Sequence, residues 1–253
     1  MLNRLLTAAV AGVVALALVV PSQAGFIYNH GFDGSFSSNL AGTAVDFRDP
    51  LLGGTSATWT GSTAFKADGA IIGGATGNTF RSVKLGFTPT SGKIYTLAIT
   101  LDRPTGTQWV GFGFAGSASQ LPNFEGGGAG AGAAWMTYRT NGAILSYYTD
   151  NTATGVNQGT YAGTKDLAVK LDTTGALWNL EYFIDGNSVR TVSGVSPMTV
   201  SQIRIEQIGD ATLGFESGVS SFSLSAVPEP GSLAVVSGLV ACISVLSRRR
   251  RQG

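Results

Sequence analysis

The sequence predicts an all-β protein, an antiparallel β-sandwich between two short apolar segments at the chain ends. Three observations predict it. Apolar residues between Gly25 and Ala226 recur with a period of two, as half-buried strands require, and no 3.6-residue pattern is sustained there. Clusters such as Asp102-Arg103-Pro104-Thr105-Gly106 and Asp172-Thr173-Thr174-Gly175 cut the alternating runs into strand-sized pieces. The two long apolar runs lie near the termini, each beside basic residues.

The amino-terminal run reads as a signal peptide over residues 1–24. Met1-Leu2-Asn3-Arg4 is a short basic start, and Leu5 to Val20 is apolar apart from Thr7 and Gly12. Ser22-Gln23-Ala24 places small residues at the two positions a signal peptidase reads, so cleavage is expected after Ala24.

Strands follow along residues 25–226. Val83/Leu85/Phe87, Tyr95/Leu97/Ile99/Leu101 and Val110/Phe112/Phe114 each place large apolar residues on one face. The same spacing returns in Leu167/Val169/Leu171, Trp178/Leu180/Tyr182/Ile184, Ile203/Ile205 and Phe222/Leu224. Between them, Gly126-Gly127-Gly128-Ala129-Gly130-Ala131-Gly132 lacks the Lys-Ser/Thr pair of a phosphate cradle and reads as a surface loop joining two strands. Asp185-Gly186-Asn187 between alternating runs is a hairpin signal, because glycine accepts the positive φ of a tight turn. The stretch Leu167 to Ser193, with its Trp-x-Leu-x-Tyr-x-Ile-Asp-Gly run, resembles the back-sheet hairpin of concanavalin A-like or laminin G-like jelly rolls. That resemblance implies a single jelly-roll domain, with Ile203/Ile205 and Phe222/Leu224 as closing strands.

Residues 227–253 form a tripartite tail. Pro228 and Pro230 fix φ and remove two backbone donors, so this segment is expected to stay out of the preceding sheet. Residues 231–247 are apolar and would span roughly 26 Å as a helix, near the lower limit for a bilayer core. Arg248, Arg249, Arg250 and Arg251 then supply a cluster that the positive-inside bias keeps cytoplasmic. Pro228-Glu229-Pro230, one membrane segment and a basic end together resemble the PEP-CTERM sorting signal of bacterial exported proteins. The resemblance implies that Pro228, Glu229 and Pro230 are read by an exosortase. It also implies transient membrane anchoring, then delivery to the cell surface or extracellular matrix.

Composition narrows the function classes. Setting aside Arg4, the four terminal arginines and Glu229 leaves 11 Lys and Arg against 14 Asp and Glu in residues 25–226. That balance of −3, without a basic stripe, disfavours a nucleic-acid partner. The single cysteine, Cys242, falls in the apolar tail, so the sandwich has neither disulfide nor thiolate chemistry. The one histidine, His30, is expected at the surface or in a turn rather than acting as a base, and zinc held by His and Cys is excluded by count.

Glycoside hydrolysis requires only two carboxylates, and some concanavalin A-like jelly rolls are glycosidases. Those enzymes carry their acids as Glu-x-Asp-x-x-Glu on one strand, a run this sequence lacks. Glu125, Glu181, Glu206 and Glu216 stand apart, with Glu181 and Glu206 expected to face solvent. No catalytic residue is therefore assigned. Calcium is a possible ligand for Asp150 and Asn151, with Asp33 and Asp210 as further oxygen donors, although such residues also cap turns. Trp59, Trp135, Tyr147 and Tyr148 could stack on sugar rings, and one of the adjacent Tyr147 and Tyr148 must point away from the core. The expectation is an exported surface or matrix protein that binds a polysaccharide or is purely structural. The alternative is a glycoside hydrolase acting on exopolysaccharide.

Overall fold

Alternation between large apolar and small or polar residues builds sixteen short strands in the computed structural model, which describes residues 25–32, 40–52, 54–56, 58–61, 66–68, 71–73, 80–105, 109–116, 132–148, 155–208 and 216–228. In chain order they begin with β1 (Gly25–His30), β2 (Phe47–Arg48), β3 (Thr60–Gly61), β4 (Lys66–Asp68) and β5 (Ile71–Gly73). Longer strands follow: β6 (Phe80–Gly86), β7 (Lys93–Leu101), β8 (Trp109–Ala115), β9 (Gly132–Arg139) and β10 (Ala143–Tyr148). The last six are β11 (Val156–Thr160), β12 (Lys165–Asp172), β13 (Trp178–Ile184), β14 (Asn187–Val195), β15 (Gln202–Ile208) and β16 (Glu216–Pro228).

They pair into two sheets. A nine-stranded sheet runs β14-β13-β12-β7-β16-β1-β2, with β5 on β16 and β4 on β5. A seven-stranded sheet runs β11-β10-β9-β8-β15-β6-β3. The ladders are antiparallel, as in β12 against β13 and β15 against β8. Gly25–Ala226 forms one compact unit. Among the described residues, no helix is long and apolar enough to cross a membrane. Ala24, Glu229, Pro230, the expected membrane segment 231–247 and Arg248 to Arg251 lie outside the described residues.

The core lies between the sheets. Tyr95, Leu97, Ile99 and Leu101 of β7, with Leu167, Val169 and Leu171 of β12, face Val110, Phe112 and Phe114 of β8 and Ile203 and Ile205 of β15. All are buried, so each alternating run predicted from sequence supplies an inward stripe. Burying one such side chain contributes about 1.5–3 kcal/mol.

Turn chemistry closes the β13–β14 hairpin. Asp185 and Gly186 both take positive φ, 50° and 76°, the geometry a two-residue turn needs to match strand twist. Lys165 Nζ donates to Asp185 Oδ2 at 2.8 Å, and the Asp166 amide donates to Oδ1 at 3.1 Å. The Lys165 hydrogen bond is the main cause holding the Asp185 carboxyl below its ordinary range. A bond from Ser188 chiefly, with help from Lys170, lowers Glu181 in the same way.

Such depressed carboxyls stabilise the fold above their unfolded values and lose that contribution as pH falls through their folded ones. Both are partly exposed, so each is worth only about 0.2–1 kcal/mol. Urea midpoints followed from neutral pH to about pH 3 should fall less in the D185N/E181Q double variant than in the parent. Equal acid sensitivity would refute the assignment.

One expectation is corrected. The chain does not leave the sheet ahead of its first tail proline, because β16 continues through Val227 to Pro228. The last described pair of β16 with β1 sets Ala226 opposite Gly25.

Candidate functional site

Strand β8, Trp-Val-Gly-Phe-Gly-Phe-Ala, organises the outer face of the seven-stranded sheet. Its even-numbered residues Val110, Phe112 and Phe114 enter the core, so Trp109, Gly111, Gly113 and Ala115 fall on the opposite face. Register then assembles that face. One row across the strands reads Lys84, Arg204, Gly113, Trp135, Tyr147. The next reads Ser82, Glu206, Gly111, Thr137, Leu145. A third brings Trp109 beside Arg139.

The two glycines make a floor. A Cβ on Gly113 would stand 2.3 Å from Trp135 Cβ and 2.4 Å from the Ala134 carbonyl oxygen, so only glycine lets β9 and its tryptophan lie this close. The Trp135 and Tyr147 rings stack with centroids 5.0 Å apart and planes 5° from parallel. Arg139 Nη2 donates to Tyr147 Oη at 3.3 Å. Arg204 and Glu206 are both 0% exposed, with Nη1 and Oε2 3.5 Å apart. Burial pushes the Arg204 guanidinium below its ordinary value, and the neighbouring Glu206 opposes that shift. Thr137 Oγ1 and Ser82 Oγ are buried without a hydrogen-bond partner among the described residues. Buried hydroxyls without a partner are costly, about 1–3 kcal/mol each.

The outer face of the nine-stranded sheet is different. A shallow cavity of about 420 Å³ there is lined by Thr96, Ala98, Thr100, Asp166, Lys170 and Phe183, among others. Its polar groups serve one another. Thr100 Oγ1 donates to Asp166 Oδ1 at 2.7 Å, and Lys170 Nζ meets Glu181 Oε2 at 3.1 Å. Internally satisfied groups leave little for a ligand, so the seven-stranded face is the better candidate.

The sequence-predicted residues divide between the faces. Tyr147 is on the outer face, 2% exposed under its stack with Trp135. Tyr148 turns to the inner side, packs partly against the main core and lies 5.2 Å below the Arg190 guanidinium. Arg190 Nη1 also donates to the Ser146 carbonyl at 2.9 Å. Trp59 is core, against Phe222.

Two expectations are overturned. Glu206 does not face solvent: it is fully buried against Arg204, because the strand face opposite the core is itself enclosed. His30 is neither a surface nor a turn residue. It is 1% exposed in β1, edge-on to Phe32 with centroids 4.4 Å apart. The expected calcium ligands Asp150 and Asn151, with Asp33 and Asp210, lie outside the described residues, as does most of the Gly126–Gly132 loop. Among the described residues no group of three or more His, Cys, Asp or Glu could hold a metal. Sequence reading missed Arg204, Thr137 and Ser82, although Arg204 two residues before Glu206 was the available sign of a shared face.

Chemically, this set combines two stacked rings, two hydroxyls and an ion pair, all of them buried. Glycoside hydrolysis needs a second carboxylate within about 10 Å of the first. Glu206 is the only carboxylate among the described residues of the face, and Arg204 holds it as an ion pair.

No protein-family model matches this sequence, and a search of curated proteins finds no relative. Solved structures do resemble it. An endo-1,3-beta-glucanase from Streptomyces sioyaensis aligns with a TM-score of 0.52 and 12% identity, covering 82% of this chain and 98% of that one. The carbohydrate recognition domain of Emp47p aligns with a TM-score of 0.51 and 13% identity, covering 83% and 98%. At these identities the likeness is one of fold. The protein has the two-sheet antiparallel sandwich of the concanavalin A-like type.

Proposed function

We propose that this chain is an exported glycan-binding protein of a bacterial surface or matrix, using the outer face of its seven-stranded sheet. One observation carries the reading: the stacked Trp135 and Tyr147 share a face with the buried Arg204–Glu206 pair and the unpartnered Thr137 and Ser82 hydroxyls. Sugars are recognised by ring stacking and hydroxyl hydrogen bonds supplied together, and this face holds groups of both kinds, buried in the free chain. The fold it shares with a glucanase and a carbohydrate recognition domain supports the reading. Calorimetry against neutral and acidic polysaccharides should give micromolar to millimolar affinity, about −4 to −8 kcal/mol. Binding without sugar release is expected, and soluble product from any of these polymers would favour the hydrolase instead.

The tail resemblance supports the route. On this reading Pro228, Glu229 and Pro230 are recognised by an exosortase, residues 231–247 anchor the chain for that step, and Arg248 to Arg251 keep its end cytoplasmic. The double variant Pro228→Ala, Glu229→Ala should be exported yet accumulate at full length in the membrane fraction. Processing at the parent rate would refute the sorting assignment. Calcium held by Asp150 and Asn151 belongs to the same proposal, with loss of affinity on chelation as its test.

A further inference from the structure

Turns usually carry polar residues, and the turn between β12 and β13 starts that way. Asp172 Oδ1 accepts from the Thr174 amide at 2.9 Å. The second half is apolar: Gly175, Ala176 and Leu177 are exposed and lead into a part-exposed Trp178, with Leu177 51% open to solvent. Leu177 stands beside Gly194, which lines an open groove with Val192, Val195, Pro197 and Met198, among others. Consecutive apolar residues open to water in a turn cost solubility and add little to the core, which points to a contact outside the domain.

β1 begins and β16 stops at this same end of the sandwich. Gly25 pairs opposite Ala226, and β16 runs on to Pro228. The segment between β6 and β7 joins that corner to the apolar turn. Its Phe87 bridges Gly54, which lies against Ile27, and its Thr90 carbonyl accepts from Thr173 Oγ1 at 2.9 Å. Phe26, also 51% exposed, and Leu177 therefore mark one end of the nine-stranded sheet, four strands apart or about 19 Å. The opposite end lies about 23 Å away along β12 and is charged. Asp102, Arg103, Asp166 and Asp185 are exposed there, around Lys165.

Only Glu229 and Pro230 separate Pro228 from the apolar run 231–247, a reach of about 10 Å at full extension. A bilayer holding that run is within reach of the apolar end and too far from the charged one. We infer that the apolar end is a lipid-contact surface. The Ala176-Leu177-Trp178 turn, with Phe26 across the sheet from it, enters the boundary between headgroups and acyl chains, and the charged end faces water. This rests on the membrane-anchoring reading of the tail. Tryptophan suits that boundary because its ring is apolar and its N–H polar. Two apolar points so far apart fit a broad fluid surface better than one small ligand.

The test uses the full-length chain in vesicles of equal parts phosphatidylethanolamine and phosphatidylglycerol, a fraction of the lipid carrying a spin label just below the headgroup. Cys242 is the only cysteine, so Cys242→Ser combined with Leu177→Cys or Asn187→Cys places one fluorophore at the apolar turn or at the charged end. Both sites are exposed, so neither label disturbs the core. The label at Leu177 should be quenched several-fold more than the label at Asn187, and Ala176→Cys should behave like Leu177→Cys. A third sample, labelled at Cys242 itself, reports whether the tail is in the bilayer. Quenching at Cys242 with none at Leu177 overturns the contact and leaves the anchor standing. Equal quenching at Leu177 and Asn187 overturns it too. Quenching at Leu177 without Cys242 keeps the contact and removes the anchor, and quenching at neither removes both.

Discussion

Replacing Glu206 by alanine will destabilise the folded domain by about 3–5 kcal/mol, because it removes the carboxylate beside a fully buried Arg204 guanidinium. The pair itself is no bargain. Desolvating two ions costs more than a 3.5 Å contact returns, so a shape-matched apolar pair at both positions should be neutral or even stabilising by about 1–4 kcal/mol. Urea denaturation of the parent, Glu206→Ala, Arg204→Met and the R204M/E206L double variant gives the full cycle. A loss under about 1 kcal/mol in Glu206→Ala would mean that the two side chains are not a buried pair. A double variant as stable as the parent that no longer binds glycan would show what the pair is kept for: it orders the face at the expense of stability.

The fold was legible because burial of one strand face imposes a period of two. Leu97, Val169, Tyr182 and Ile205 all point inward as their spacing predicts. The hairpin was legible because Asp185-Gly186 states its turn geometry locally. The candidate face was not legible, for a reason visible at Glu206. Alternation says that Glu206 lies opposite Ile205, but it carries no information on whether that second face meets solvent. For β12 and β13 the outer residues are part-exposed, as Lys170 and Glu181 show. For β15 they are sealed. Assigning Tyr147 rather than Tyr148 to the outer face likewise required the β9–β10 register, which pairs Tyr147 with Trp135. His30 misled in the same way, since its neighbours Phe32 and Trp59 enclose it from outside its own strand. Long-range register, not local pattern, decides all three.

Trp135→Ala should have the largest effect on binding. The ring is 5% exposed and stacked flat on Tyr147, so its removal takes away a broad apolar surface and leaves a cavity, at a cost of about 3–5 kcal/mol. The stack itself accounts for about 0.5–1.5 kcal/mol of this beyond area burial. Three readouts should move together: the urea midpoint, the near-ultraviolet circular dichroism of the paired rings, and glycan affinity, which should drop below detection. Tyr147→Phe is the companion variant. It keeps both rings stacked and removes only the hydroxyl that accepts from Arg139, so it should cost about 1 kcal/mol and preserve the near-ultraviolet signal. If Trp135→Ala remains folded and binds polysaccharide as the parent does, the glycan contacts another face. Folded Trp135→Ala without affinity, beside Tyr147→Phe with most of it retained, assigns recognition to the stacked rings, because the two variants differ chiefly in whether that stack survives.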